Sequence, residues 1–120
     1  MNTTPLETQE CITLAQWLTF KGVLFTHLAQ ETFTRSWSVK RKNKAMGVNS
    51  GFPDYAIYVP VDKSKTGKSE LLFIEMKRQK GGSVSSAQKE WIKAMQEAGI
   101  NIYVCKGFDE AEVVLSQFIK

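Results

Sequence analysis

The chain has 120 residues, which is enough for one domain with a substantial buried core. Its composition, 42% hydrophobic and 23% charged, is that of an ordinary globular protein, and no apolar run reaches the length of a membrane span. The N-terminus lacks the charged-then-apolar pattern of a secretory signal. The net charge of +4 is compatible with a polyanionic partner. We therefore expect a single cytoplasmic domain over residues 1–120, without membrane association.

The N-terminal part of the chain predicts a helix and then a short strand. The Thr4–Glu7 segment is a capping box with proline at the first helical position, and Gly22 follows the last periodic residue, so the helix is expected over residues 1–22. Glu7 falls on the apolar stripe of this helix, and Glu10 falls nearer its edge. Val23–Leu28 is rich in β-formers and predicts a strand.

Three residues in these and later segments have ordinary structural interpretations. Cys11 and Cys105 lie inside apolar periodic segments, which favours reduced core thiols over a disulfide or a zinc site. His27, in the predicted strand, is interpreted as a packed or hydrogen-bonded residue rather than a catalyst.

A basic segment follows, with no acidic residue among the ten positions from Arg35 to Lys44. Trp37 lies within it, and Gly47 is expected to close a short helix or an irregular turn. Such a run is commonly a solvated surface. Here it comes directly before a candidate metal loop, where contacts with phosphate groups are an equal alternative. The candidate phosphate-binding side chains are Arg35, Lys40, Arg41, Lys42 and Lys44.

The stretch from Gly51 to Lys77 contains the candidate chemistry. A Gly-x-Pro turn places Asp54 at the start of a strand predicted over Asp54–Val61, and a polar hairpin leads to a second strand over Leu71–Lys77. This second strand is apolar on both faces and is therefore expected to be central. Because side chains alternate along a strand, Glu75 and Lys77 point the same way.

Strand pairing would bring Asp54 and Glu75 together, where they would repel unless a cation lay between them. Mg²⁺ and Mn²⁺ prefer such oxygen ligands, and a neighbouring lysine could orient the attacking water. The alternative is that Asp54 closes a turn and that Glu75 and Lys77 form a solvated pair at a strand end.

The C-terminal part predicts a helix, a strand and a last helix. Ser85 and Gln88 form a second capping box, with Gln88 on the apolar face of its helix. Ile100–Cys105 predicts a fourth strand, and Asp109 is expected to cap the last helix. A helix between the third and fourth strands favours a parallel pair there. The fold class is therefore α/β, with a central mixed four-stranded sheet flanked by helices.

The motifs Gly-x-Pro-Asp (Gly51–Asp54), Glu-x-Lys (Glu75–Lys77) and Ser-x-x-Gln (Ser85–Gln88) resemble those of the virus-type replication-repair (VRR-NUC) nucleases of the PD-(D/E)XK superfamily. The resemblance implies a restriction-endonuclease-like core and a DNA endonuclease dependent on Mg²⁺ or Mn²⁺. It assigns metal ligation to Asp54, Glu75 and the Met76 carbonyl.

The resemblance also implies roles for side chains around this centre. Lys77 would act on the attacking water or on the phosphate, and Gln88 would lie beside the site. A glutamate of the first helix would reach toward the metal, and we favour Glu7 over Glu10 for this role. Arg78, in the basic loop after the third strand, joins the candidate DNA contacts.

The small stand-alone members of the family, known from bacteriophages, imply a homodimer that cuts branched DNA such as four-way junctions, in the bacterial host cell if the protein is phage-encoded. Some of the aromatic residues in the N-terminal third, which exceed what one small core requires, would then lie at the subunit contact, unless they belong to the core; the candidates are Trp17, Phe20, Phe33 and Trp37. The alternatives are a flap- or nick-directed nuclease, a restriction-type enzyme of the superfamily and a non-catalytic nucleic-acid-binding module.

Overall fold

The structure is a computed structural model that describes residues 7–28 and 36–120. Four helices, four strands and one short 3-10 turn follow one another in these ranges. In chain order they are α1 (Glu7–Lys21), β1 (Leu24–His27), α2 (Trp37–Ala45), β2 (Tyr55–Val59), the 3-10 turn (Val61–Lys63), β3 (Glu70–Lys77), α3 (Ser86–Glu97), β4 (Asn101–Lys106) and α4 (Phe108–Leu115). The predicted α/β class is confirmed. Thr4, where the first capping box was predicted to begin, lies outside the described residues, as do Phe33 and Arg35.

The four strands form one mixed sheet in the order β1-β2-β3-β4. The pairs β1–β2 and β2–β3 are antiparallel, whereas β3 and β4 are parallel and are joined through α3. The parallel pair and the interior position of β3 were both predicted. Tyr55 lies opposite Ile74, and continuing this antiparallel register by one residue puts Asp54 opposite Glu75.

The main core lies between the sheet and the helices α1 and α4. Its fully buried side chains come from all of these elements and include Leu14, Leu18, Ile57, Leu72, Ile74 and Leu115. Helix α3 packs against β4, where Met95 and Ile102 are buried. Within the described ranges, no helix has the length and apolarity needed to cross a membrane.

The start of α4 differs from the prediction. Asp109 does not cap it, because the helix begins at Phe108 and Gly107 occupies the capping position with φ of 87° and no side-chain cap. The Phe108 amide donates instead to the carboxylate of Glu10 on α1. A Cβ atom at Gly107 would lie 2.7 Å from the Cγ of Gln79, so this close approach requires glycine.

The basic segment forms a true helix, α2, capped by the Ser36 hydroxyl, which accepts a hydrogen bond from the Val39 amide. None of its residues is buried. Gly47 follows its end with φ of 90°, as predicted. Both cysteines are free thiols, Cys11 half-buried and Cys105 buried, and burial raises the pKa of Cys105 to about 12.

Candidate active site

The loop before β2 is held tightly and delivers Asp54 to the end of the sheet. Pro53 is fully buried, and Gly51 has φ of 101°. A Cβ atom at Gly51 would lie 2.7 Å from the Ala87 backbone on α3, so only glycine lets the loop approach this helix. Asp54 then turns toward β3, where its Oδ2 accepts a hydrogen bond of 2.9 Å from the Met76 amide. The side chain is thus oriented by the strand that carries Glu75.

Glu75 is the most buried charged residue of the site, with only 1% of its surface exposed. Its Oε2 accepts a hydrogen bond of 2.9 Å from the Gln88 amide and lies 3.3 Å from the Lys77 ammonium. Its Oε1 is buried and receives no hydrogen bond from any described donor group. A buried carboxylate oxygen without a donor is costly, and a bound cation would remove that cost.

The electrostatics of Asp54 and Glu75 also favour a bound cation. The pKa of Glu75 is raised to about 8, first by burial and then by the negative charge of the neighbouring Asp54. Lys77 acts in the opposite direction but does not outweigh them. A divalent cation between the carboxylates would stabilise the charged form of both.

The donor set fits a small hard cation. Among the described residues, no group of three or more His, Cys, Asp or Glu side chains comes together as a metal cage. Mg²⁺ and Mn²⁺ do not need one, because in phosphoryl-transfer sites they are held by one or two carboxylates together with waters and phosphate oxygens. Asp54, Glu75 and the predicted Met76 carbonyl meet that requirement.

The two glutamates of α1 have separate positions. Glu10 is only 5% exposed, and its carboxylate accepts hydrogen bonds from the Gln79 amide group, at 2.8 Å, and from the Phe108 amide. The expectation that Glu10 lies toward the edge of the buried stripe was therefore wrong. Each of its two oxygens accepts one hydrogen bond, and through them Glu10 joins α1 to the Gln79 loop and to the start of α4.

Glu7 lies one helical turn before Cys11 on α1. The pKa of the Cys11 thiol is raised by burial first and then by the negative charges of Asp54, Glu7 and Glu75. One thiol therefore senses all three carboxylates. The placement agrees with the choice of Glu7, whose role in the site stays a prediction.

The candidate DNA-contacting side chains fall into two places. Lys40, Arg41, Lys42 and Lys44 are exposed on α2, where the Lys40 ammonium lies 5.0 Å from the centre of the Trp37 ring. Arg78 is half-buried next to Lys77, and its Nε is buried without a hydrogen-bond partner among the described residues.

The contacts around Asp54 on the side of β1 were not predicted from the sequence. The Tyr55 hydroxyl donates to the Cys11 carbonyl at 3.2 Å, and the exposed His27 ring lies 4.8 Å from the Tyr55 ring. The Leu28 amide also donates to the Asp54 carbonyl, at 2.6 Å. No local pattern could reveal these contacts, because they join residues far apart in the chain.

Two carboxylates, a lysine and a glutamine meet here at the ends of two neighbouring strands of a mixed sheet. This is the kind of site that PD-(D/E)XK nucleases use. The VRR-NUC domain family matches residues 9–109, and the chain belongs to this family. A solved structure described as a VRR_NUC domain protein has the same fold, with a TM-score of 0.70 and 23% sequence identity over 97% of this chain and 89% of that one. Comparison with curated proteins gave no match. The predicted family is confirmed, and membership implies a nuclease of the PD-(D/E)XK type with DNA as its substrate.

Proposed function

We propose that this protein is a divalent-metal-dependent, structure-specific DNA endonuclease that uses Mg²⁺ or Mn²⁺. The observation that carries the proposal is the Glu75 carboxylate, which is buried next to Asp54 with one oxygen lacking any described donor. A fold without metal chemistry would gain nothing from holding two carboxylates together in this way.

Asp54 and Glu75, with the Met76 carbonyl, would hold the cation. When bound, the cation supplies positive charge at the scissile phosphate and lowers the pKa of an attacking water. The protein prepares both carboxylates in advance, since the Met76 amide fixes Asp54 and the Gln88 amide fixes Glu75. Gln88 orients Oε2 and leaves Oε1 for the cation.

Lys77 would act on the reacting atoms. Its ammonium lies 3.3 Å from Glu75 Oε2, and it retains donors for the attacking water or a phosphate oxygen. Glu7, whose charge acts on the same Cys11 thiol as the charges of Asp54 and Glu75, would contribute negative charge toward the cation through water. The basic helix α2 would contact backbone phosphates without reading bases.

For the substrate we propose branched DNA, with four-way junctions first, cut by a homodimer. A junction needs two symmetry-related cuts, and a twofold dimer supplies two sites. An apolar row supports a second copy: Leu24, Tyr58 and Leu71 lie opposite one another across β1, β2 and β3 and are 73%, 40% and 53% exposed.

The aromatic residues expected at the subunit contact divide into two groups. Phe20 and Trp37 are strongly exposed, as an interface requires. Trp17 instead packs edge-on against Phe108, with ring centres 6.1 Å apart, and so contributes to the intramolecular packing. Phe33 lies outside the described residues.

A cleavage panel tests the activity. Junction, flap, nicked, single-stranded and linear duplex DNA are incubated with Mg²⁺ or Mn²⁺, and paired nicks are mapped on a junction with immobile arms. We expect symmetric paired nicks on the junction. Faster cutting of flaps would favour the flap-directed alternative, and no cleavage with either metal would favour the binding module.

Light scattering at micromolar concentration tests the dimer. The wild type should have twice the mass of one chain, and Tyr58→Lys, in the apolar row, should be monomeric. Val113→Lys is the matched control, because Val113 is also exposed, at 66%, but lies on α4. A monomeric wild type would remove the dimer and leave the nuclease proposal standing.

A further inference from the structure

A cavity of about 570 Å³ lies beside the candidate active site, between the loop before Asp54 and one face of α3. Asn49 and Ser50 line the loop side of this cavity. The helix side is lined by side chains spaced three and four residues apart, namely Ala87, Glu90, Trp91 and Ala94. None of these residues has a part in the chemistry described above.

The cavity is fixed in position relative to the metal ligands. On the loop side it ends where Gly51 contacts Ala87, three residues before Asp54. On the helix side, Ala87 adjoins Gln88, whose amide contacts Glu75. The same loop continues from the basic helix α2, since the Val48 amide donates to the Asn43 carbonyl at 2.9 Å. A DNA strand running from α2 to Glu75 would therefore pass the mouth of the cavity.

Trp91 gives the cavity a rigid aromatic wall. Its ring is held edge-on by Phe52, with centres 5.0 Å apart and planes at 83°, and Phe52 is held in turn by Phe73 at 5.6 Å and 84°. Three rings thus connect β3 to the surface, yet 39% of Trp91 is exposed. An immobilised, partly exposed indole is a good platform for stacking an unpaired base.

The polar groups of the cavity select a base over a phosphate. The Glu90 carboxylate repels phosphate but accepts hydrogen bonds from exocyclic amino groups such as adenine N6 or cytosine N4. The Asn49 side chain is oriented by its own donation to the Gly47 carbonyl at 3.3 Å. Asn49 can pair with a base edge through its carbonyl oxygen.

We propose that this cavity binds one unpaired adenine or cytosine of the DNA strand, next to the scissile phosphate. The proposal rests on the proposed nuclease function. It adds a base-binding site to an enzyme whose basic helix contacts only phosphates, and it gives a structural reason for preferring branched DNA, in which bases next to the branch can leave the stack.

The test is a scan of binding with single abasic sites. Junctions carrying one abasic residue at successive positions around the cleavage point are titrated with protein in EDTA, and affinity is read by fluorescence anisotropy. Wild-type protein should lose about tenfold in affinity at one position. Trp91→Ala should bind intact DNA about tenfold more weakly and show no further loss at that position, because the two changes remove the same contact.

Further variants separate stacking from folding. Trp91→Phe should keep most of the affinity and the position effect. Ala94→Leu fills the cavity without removing any aromatic contact and should abolish the position effect even if Trp91→Ala does not fold. Val113→Ala is the control, since Val113 is an apolar residue 66% exposed on α4 that does not line the cavity, and it should change nothing in the scan.

Glu90→Ala, which removes the acceptor, tests the choice of base. Replacing the sensitive adenine by purine, which lacks the amino group, should weaken wild-type binding and leave the binding of Glu90→Ala unaffected. A flat abasic scan, or losses that add independently in Trp91→Ala, would overturn the proposal. Since binding is measured without metal, a flat scan with normal cleavage removes only the cavity proposal. If Trp91→Ala and the abasic site show the expected non-additive loss of affinity but no DNA is cut, only the nuclease proposal is removed.

Discussion

The candidate metal site and the basic helix α2 are built in opposite ways. At the metal site each side chain is fixed by a neighbour: Asp54 by the Met76 amide, and Glu75 by Gln88 and Lys77. Helix α2 buries none of its residues and carries four exposed basic side chains. Chemistry at a phosphate needs atoms held at set distances, whereas attraction of a polyanion needs only charge nearby. Single substitutions should therefore reduce cleavage severely at the candidate metal site, whereas on α2 they should weaken DNA binding only mildly.

The largest effect is expected from the metal ligands. Asp54→Asn and Glu75→Gln keep the shape of each side chain but remove its charge, so cleavage should fall by roughly a thousandfold or more. Mn²⁺ affinity, measured by calorimetry, should fall as well, while DNA binding in EDTA stays unchanged. Glu112→Gln, at an exposed position of α4, is the control. Full activity of either ligand variant would exclude the site.

A smaller effect, on the order of a hundredfold in cleavage rate, is expected for Lys77→Ala. An ammonium group cannot ligate a cation, so Mn²⁺ affinity should change little. Calorimetry and single-turnover cleavage are measured on the same sample. Equal losses in rate and in metal affinity would mean that Lys77 only supports Glu75.

On α2, the double variant Lys40→Gln/Lys44→Gln should weaken DNA binding about tenfold at physiological salt. The slope of the logarithm of the binding constant against the logarithm of the salt concentration should become about 2 less steep. Cleavage at saturating DNA should remain normal. The double variant Lys68→Gln/Lys120→Gln, which removes the same charge at other exposed positions, is the control. If both pairs behave alike, α2 contributes only to net charge.

The two glutamates of α1 should separate by their effects. Glu7→Gln should slow cleavage roughly fivefold without changing the melting temperature, since it removes only a charge near the site. Glu10→Gln should lower the melting temperature, because the new amide group faces the Gln79 and Phe108 donors. A loss of cleavage without destabilisation in Glu10→Gln would reverse the assignment.

The smallest effect is a pH dependence of stability in the metal-free protein. Because the pKa of Glu75 is raised to about 8 in the folded state, chiefly by burial, the folded protein binds this proton more tightly than the unfolded chain does. The stability gained from that proton is fully present below the ordinary pKa of a glutamate and is lost as the pH rises through about 8. Thermal melts should show this loss in the wild type, and Glu75→Gln should not show it. Adding Mn²⁺ at pH 8 should restore the wild type.

The sequence alone was enough for features set by neighbouring residues. Alternation along a strand put Glu75 and Lys77 on one face, and their 3.3 Å contact confirms it. The Ser85 capping box is present with both of its hydrogen bonds, because a cap is a local structure. The turn before Asp54 and the positions of the four strands along the chain followed from Gly, Pro and apolar patterns of the same short range.

Only the tertiary structure decided contacts between distant parts of the chain. Gln88 accepts a hydrogen bond from the Ser85 amide through its oxygen and donates to Glu75 through its amino group, so one side chain both caps α3 and contacts the site. Glu10 replaces Asp109 as the partner of the α4 terminus across 98 residues. Trp91 reaches the sheet only through Phe52, which packs against Phe73 of β3, and Trp91 itself stays 39% exposed. Such outcomes depend on which distant side chains the fold brings together. Only in the folded chain do these side chains compete for the same hydrogen-bond partners and the same volume, so the local sequence pattern does not reveal the result.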